Sequence, residues 1–223
     1  GAPVVGANLG KNLDTPLERA AEDYVAVARM LAPVSDYLVI NVSSPNTPGL
    51  RALEAVEALA PLVDAVAREI SDKPLLVKIS PDMADADVAA VAELVASAGL
   101  AGVIATNTTV DRGVLSPPGR AEVAWFEGGG VSGVPVAPRS LAVLALLRAR
   151  LRETDAIIIS VGGVSGADDV WARILAGATL VQAYTGFIYG GPAWPARVNH
   201  DLAARVRAAG AGSIQELVGA GLS

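Results

Sequence analysis

Tyr37-Leu-Val-Ile-Asn41-Val-Ser-Ser-Pro-Asn-Thr-Pro-Gly49 is the stretch that decides the fold. Its apolar opening does not alternate with polar residues, as expected of a strand covered on both faces in a parallel sheet. The run then breaks into amides, hydroxyls, two prolines and a glycine, the chemistry of a rigid turn at a strand end. The pattern recurs along the chain. Strands are expected at 4–8, 37–42, 75–79, 102–106, 156–161 and 179–184, with Leu75-Leu-Val and Ala156-Ile-Ile-Ile equally unbroken. Between them, Ala/Leu/Val stretches of helical period place helices near 16–32, 53–70, 85–98, 139–150, 167–176 and 195–209, with a short one at 213–219. Alternation of this kind is an α/β fold around a parallel sheet.

Punctuation agrees with these helices. Thr15-Pro16-Leu17-Glu18 reads as a capping box with proline at the first helical position. Asp85 and Asp168 fall in first turns, where carboxylates suit the positive end of the helix dipole. Gly99 and Gly177 follow last turns. No linker, repeat or charge block divides the chain, so residues 1–223 read as one domain. One connection is out of scale: roughly thirty residues from Val110 to Arg139, with Pro117-Pro118 and Gly128-Gly129-Gly130, where most loops have fewer than about a dozen. Loops this long are functional lids, disordered segments or tolerated insertions.

Composition removes several function classes. The chain has 223 residues, 52% of them hydrophobic and 18% charged, enough to bury a core. It has no cysteine and one histidine, so thiolate metal sites and a cysteine nucleophile are impossible and a Ser–His–Asp triad is disfavoured. A net charge of −6 argues against nucleic-acid partners. No apolar run reaches the ~18 residues of a membrane span.

In parallel α/β folds, function gathers at the C-terminal ends of the strands. Those positions hold Asn8, Asn41 through Gly49, Lys78, Thr106-Asn107-Thr108-Thr109, Gly162-Gly163 and Tyr184-Thr185-Gly186. The set is amides, hydroxyls, glycines and one ammonium, with no carboxylate. It suits a polar, anionic ligand and disfavours glycosidase and metallohydrolase chemistry. The last two glycine groups suit a phosphate approached closely by backbone N–H groups, although ordinary tight turns would carry the same glycines. Gly128 to Gly133 matches G-x-G-x-x-G by letter but follows no strand, so a dinucleotide fingerprint fails its context. Lys78 ends an apolar strand and implies an anionic ligand, a Schiff base, or an amine reaching the mouth. His200 reads as a solvated helix residue, and Trp125-Phe126 as either a ligand cover or a pin for the long loop. Ser44, held by Pro45, Pro48 and Gly49, lacks a histidine to activate it as a nucleophile and fits better as a general base.

These residues carry a resemblance. Asn41-Val-Ser-Ser-Pro-Asn-Thr-Pro-Gly-Leu-Arg51 resembles the signature of the quinone-dependent (class 2) dihydroorotate dehydrogenases. So do Gly6-Ala-Asn-Leu-Gly-Lys-Asn12, Val77-Lys-Ile-Ser-Pro-Asp82, Ala105-Thr-Asn-Thr-Thr109, Gly129-Gly-Val-Ser-Gly133, Val161-Gly-Gly163 and Val181-Gln-Ala-Tyr-Thr-Gly-Phe-Ile-Tyr189, in the family's order. Class 1 enzymes use a cysteine base, and this chain offers serine.

The resemblance implies a (β/α)8 TIM barrel with about six of the eight βα units present, holding FMN at its C-terminal mouth. It implies oxidation of (S)-dihydroorotate to orotate in pyrimidine (UMP) biosynthesis. Hydride would leave C6 for the flavin, a proton would leave C5 for Ser44, and a quinone would take the electrons. Asn8, Asn41, Lys78 and Thr106 are expected at the flavin, with Gly133, Gly163, Tyr184 and Thr185 at its ribityl and phosphate. Asn41, Asn46, Asn107 and Thr108 are expected at the orotate, with Thr47 as a weaker candidate on the proton's exit route. The loop around 110–134 would close over the substrate. Two strands, part of the flavin site and membrane-contacting helices are expected ahead of Gly1, with peripheral association at the cytoplasmic side of the membrane through that segment alone. Ser160 stands where the family pattern suggests glycine. Two other readings compete: a phosphate-binding aldolase or isomerase using Lys78, and a catalytically inactive fragment of the barrel.

Overall fold

The computed structural model describes residues 3–70 and 73–222. Gly1 lies outside the described residues. Each expected apolar run forms a strand: β1 Gly6–Leu9, β2 Tyr37–Asn41, β3 Leu75–Ile79, β4 Gly102–Ala105, β5 Ile157–Val161 and β6 Leu180–Gln182. All pairings are parallel and the order is strictly sequential, β1 to β6. A doubly wound sheet would reverse its order at a switch point. Sequential order with right-handed crossovers instead keeps every helix on one face and curls the sheet into a barrel sector. The result is six of the eight βα units of a (β/α)8 barrel. Among the described residues, β1 and β6 are its two edges.

The helices are α1 Ala20–Leu31, α2 Val56–Ile70, α3 Asp85–Ser97, α4 Pro117–Val123, α5 Ala137–Leu151, α6 Ala167–Leu175, α7 Thr185–Gly190 and α8 Trp194–Ala208. Strand side chains alternate between faces. Leu38, Ile40, Leu75, Val77, Val103 and Ile158 point outward, into one core shared with Tyr24, Leu59, Val66, Val91 and Leu147 of the helices. Val39, Leu76, Ile104 and Ile159 point inward and form a separate apolar floor. Two residues further along the same faces come Asn41, Lys78, Thr106 and Val161. The period of two thus sets Asn41, Lys78 and Thr106 as a polar group on top of the floor, at the mouth, beside Val161.

Asp85 and Asp168 occupy first turns, and Gly99 takes φ +64° after α3, as expected. The capping box at Thr15 does not form. Pro16 is itself the N-cap, no side chain caps the helix, and a 3-10 turn at Leu17–Arg19 precedes α1. The polar groups there serve a different knot: Asp23 accepts the Asn12 N–H at 2.8 Å, and Lys11 Nζ donates to the Asn12 and Thr15 carbonyls. Two short helices were not anticipated. Ser116 caps α4 inside the long connection by accepting the Gly119 N–H, and α7 carries glycines that lower helical propensity. The connection is pinned at its base by an antiparallel bridge between Thr109 and Val131.

Candidate active site

The turn after β2 is stitched to the turn after β4. Ser43 is fully buried, and its Oγ donates to Asn41 Oδ1 at 2.8 Å while accepting from Asn107 Nδ2 at 3.0 Å. Asn107 Oδ1 accepts the Thr108 N–H at 2.9 Å. Both amides are thereby oriented, and Asn41 Nδ2 remains an unengaged donor among the described residues. Tyr24 donates its hydroxyl to the Asn41 carbonyl from α1, and burial raises the phenol's pKa, so it stays a donor.

Arg51 and Asp82 extend this stitching. Arg51 donates through Nη1 to Asp82 at 2.5 Å, through Nη2 to the Thr108 carbonyl at 2.9 Å, and through Nε to the Ser43 carbonyl at 3.3 Å. Asp82 also accepts from Thr109 Oγ1 and from the Val110 N–H. The root of the long connection is therefore tied to the loops after β2 and β3. Behind them, buried Glu54 accepts from the Ser80 N–H at 2.6 Å and hydroxyl at 3.0 Å, and desolvation raises its pKa. The Gly128-Gly129-Gly130 run passes over this region. A Cβ on Gly130 would stand 2.1 Å from Thr108 Oγ1 and 3.2 Å from Pro45 Cγ, so only glycine fits.

Beside this stitched region opens a cavity of about 350 Å³. Lys78, Thr106, Asn107, Thr108, Gly133, Gly163, Tyr184 and Thr185 of the expected set all contribute to its wall. Lys78 makes no hydrogen bond or ion pair among the described residues, and burial holds its pKa below the ordinary lysine value. Thr106 Oγ1 is buried without a partner. Gly163 takes φ +75° and packs so tightly that a Cβ would lie 2.4 Å from that of Ala137. Thr185 donates to Ser132 Oγ at 2.9 Å, joining the far end of the long connection to α7.

Five expected residues are not in that wall, among them Thr47, which is half-buried in the turn after β2. Asn8 and Asn46 are exposed, Asn41 stands one strand over on the inner face, and Ser44 accepts the Asn46 N–H at 3.3 Å. Trp125 and Phe126, 72% and 55% exposed, stack on each other with ring centroids 3.9 Å apart. His200 is exposed on α8, as expected. Arg51 and Asp82 stand within the family-like strings, yet no role for them was expected. Their one signal was the placement of opposite charges just after successive strand-end turns. Among the described residues no cluster of His, Cys, Asp or Glu could hold a metal, and no helix is long and apolar enough to cross a membrane.

The family model for dihydroorotate dehydrogenase matches residues 2–206. The dihydroorotate dehydrogenase (quinone) of Rhodococcus erythropolis is 56% identical over 216 residues, which cover 97% of this chain and 60% of the relative. That of Thermobifida fusca is 53% identical over 222 residues, covering 97% and 58%. The solved structure of DHODH from Eimeria tenella in complex with ferulenol superposes with a TM-score of 0.88 at 33% identity, covering 97% of this chain and 61% of that one. The chain thus spans about three-fifths of the length of the relatives it matches.

Proposed function

The chain belongs to the dihydroorotate dehydrogenase family, and from that premise we propose that it oxidises dihydroorotate to orotate in pyrimidine biosynthesis, with FMN as resident flavin and a quinone as acceptor. The supporting observation is one cavity wall that combines an unpartnered ammonium, a buried orphan hydroxyl and a glycine turn that no side chain could enter. The ammonium and the hydroxyl are mismatches until a ligand arrives, because buried polar groups without partners are costly. Lys78 suits the pyrimidine end of an isoalloxazine that becomes anionic, and Thr106 Oγ1 suits a ring heteroatom. Gly133, Gly163, Tyr184 and Thr185 suit ribityl and phosphate. The volume of about 350 Å³ lies within the ~300–1,000 Å³ of small-molecule sites. Bound there, FMN supplies the hydride acceptor for C6 of dihydroorotate and the route of the electrons to quinone.

The chain's own residues do the rest. Asn41, Asn46, Asn107 and Thr108 would hold the two ring carbonyls and N–H groups, with Asn41 and Asn107 pre-oriented through Ser43 so that less ordering entropy is spent on binding. Asn8 would contact the flavin from β1. Ser44 would take the C5 proton, its loop fixed by Pro45, Pro48 and the Arg51–Asp82 tie, and Thr47 would lie on the proton's exit. The glycine run of the long connection would cover the substrate and exclude water. We place the protein peripherally at the cytoplasmic side of the membrane, on its likeness to the quinone-dependent family.

The test is direct. The protein incubated with FMN should turn yellow and reduce a quinone analogue with dihydroorotate. Ser44→Ala should retain flavin and lose about 10²–10⁴-fold in turnover. Unchanged turnover would remove Ser44 as base. Failure of the wild type to hold flavin would overturn activity of this chain and favour the other reading, a catalytically inactive fragment of the barrel. Borohydride trapping of a carbonyl substrate on Lys78 would instead support the aldolase reading.

A further inference from the structure

Arg173 on α6 is the bulkiest fully buried side chain, 1% exposed. Its Nη1 donates to Ser140 Oγ on α5 at 2.8 Å and to Ser160 Oγ on β5 at 2.6 Å, and its Nη2 donates to the Gly162 carbonyl. All three acceptors are neutral. Asp169, one turn away on the same helix, spends its Oδ2 on the Ser165 N–H, the Ser165 hydroxyl and the Gly166 N–H. Asp169 acts on Arg173 electrostatically, yet it makes no ion-pair contact with the guanidinium, whose direct partners are all neutral. A guanidinium is almost never buried without a counter-charge, because desolvation outweighs neutral hydrogen bonds.

Beyond Asp169, whose carboxylate is spent on the Ser165–Gly166 turn, an anion has a natural place across one peptide plane. The Gly162 carbonyl points outward to Arg173 and also accepts from Ser140 Oγ at 3.1 Å. In a trans peptide the following N–H points the opposite way, so the Gly163 N–H faces the cavity wall that Gly162, Gly163 and Val164 build. That N–H and the next, at Val164, have no acceptor among the described residues. Two donors on the outer carbonyl polarise the peptide and strengthen the inner N–H as a donor. Ser160, where glycine was expected, is explained by the same contact.

We propose that Arg173 is the positioning residue of a phosphate-monoester site. It acts through the Gly162–Gly163 peptide to present inward donors and a positive charge one peptide removed, so that this end of the cavity selects a phosphorylated ligand over its neutral alcohol. The ligand's identity as FMN rests on the reading above; the charge logic does not.

The experiment compares FMN with riboflavin by fluorescence titration of the full chain. Wild type should prefer FMN. Arg173→Met should cut that preference about tenfold, and so should Ser160→Asp, which leaves the guanidinium in place and neutralises it. Arg173→Lys keeps the charge and should stay within about threefold of wild type. A wild-type preference in either folded Arg173→Met or Ser160→Asp overturns the proposal, and either variant suffices if the other does not fold. If the wild type binds neither flavin, the functional reading fails separately. Inorganic phosphate then replaces the flavins: it should raise the melting temperature of wild type and not of Ser160→Asp, and absence of that rise in wild type overturns the anion site.

Discussion

The two sides of the mouth use similar residues in opposite ways. On the side of β2 and the turn after β4, polar groups pair with one another in the chain: Asn41 Oδ1 with Ser43, Ser43 with Asn107, Arg51 with Asp82 and Thr108. On the side of β3 to β6, Lys78 has no partner and Thr106 Oγ1 is buried alone. Buried polar groups that are satisfied within the chain rigidify it, whereas those left open raise its free energy until something binds. The stitched side therefore reads as a frame for the loop that carries Ser44, the proposed base, and the open side as the proposed seat of the flavin. The difference can be broken by substitutions that act with opposite sign, or by unequal size, on the two sides.

Glycines should give the largest contrast. Gly163→Ala must adopt φ +75° and place a Cβ 2.4 Å from that of Ala137 and 2.8 Å from its backbone. The conformational strain and the clash together should cost about 3 kcal/mol of unfolding free energy. Gly129→Ala has a similar φ of +77°, yet the nearest atom to its new Cβ is Asn46 Oδ1 at 3.9 Å. Only the left-handed penalty applies there, about 1 kcal/mol. Urea titrations of both variants measure the gap. Equal losses would mean that the glycine turn at the cavity is not held by α5.

The two cations come next, and here the signs should differ. Arg51→Met strands Asp82 and two backbone carbonyls, and should destabilise by about 1–2 kcal/mol. Lys78→Met removes an unpaired ammonium from the cavity wall and should stabilise the ligand-free protein by about 0.5–1 kcal/mol, while weakening FMN retention. The same logic fixes the pH response. Burial depresses Lys78 below the ordinary 10.5 in the folded state, so between the two values the unfolded chain holds more protons. The stability of the ligand-free wild type therefore rises with pH through the window that ends near 10.5. That rise should vanish in Lys78→Met. A destabilised Lys78→Met would mean that the ammonium is satisfied by the chain, and the contrast between the two sides would collapse.

The strands were legible in the sequence because full burial writes itself as unbroken apolar runs, as at Tyr37–Asn41 and Leu75–Ile79. Lys78 and Thr106 were legible for the related reason that a polar residue ending such a run has nowhere else to face. The stitching was not. Arg51 meets Asp82 across 31 positions and the Thr108 carbonyl across 57, and no local pattern encodes partners so far apart. Thr15 misled because Asp23 and Lys11 compete for the groups that a cap would use, and that competition exists only in three dimensions. Arg173 carries no local signal that sets it apart on α6. Its burial follows from how closely α5 and α6 approach β5, where Ser140 and Ser160 supply the acceptors.

Glu54 offers the smallest effect and the finest discrimination on the stitched side. Its carboxylate is buried yet accepts two hydrogen bonds from Ser80, and desolvation outweighs them in raising its pKa above the ordinary 4.5. A carboxyl raised on folding binds its proton more readily in the native state. Between 4.5 and the folded value the native state thus carries more protons, and stability falls as pH rises through that window. Glu54→Gln keeps an acceptor for Ser80 without the charge, so it should stay within about 1 kcal/mol of wild type near neutral pH. Unfolding titrations from pH 4 upward should show wild type losing stability relative to Glu54→Gln as Glu54 ionises. A wild type that instead gains on the variant over that range would show the Ser80 bonds and nearby Arg51 outweighing burial, making Glu54 a fixed anion of the frame.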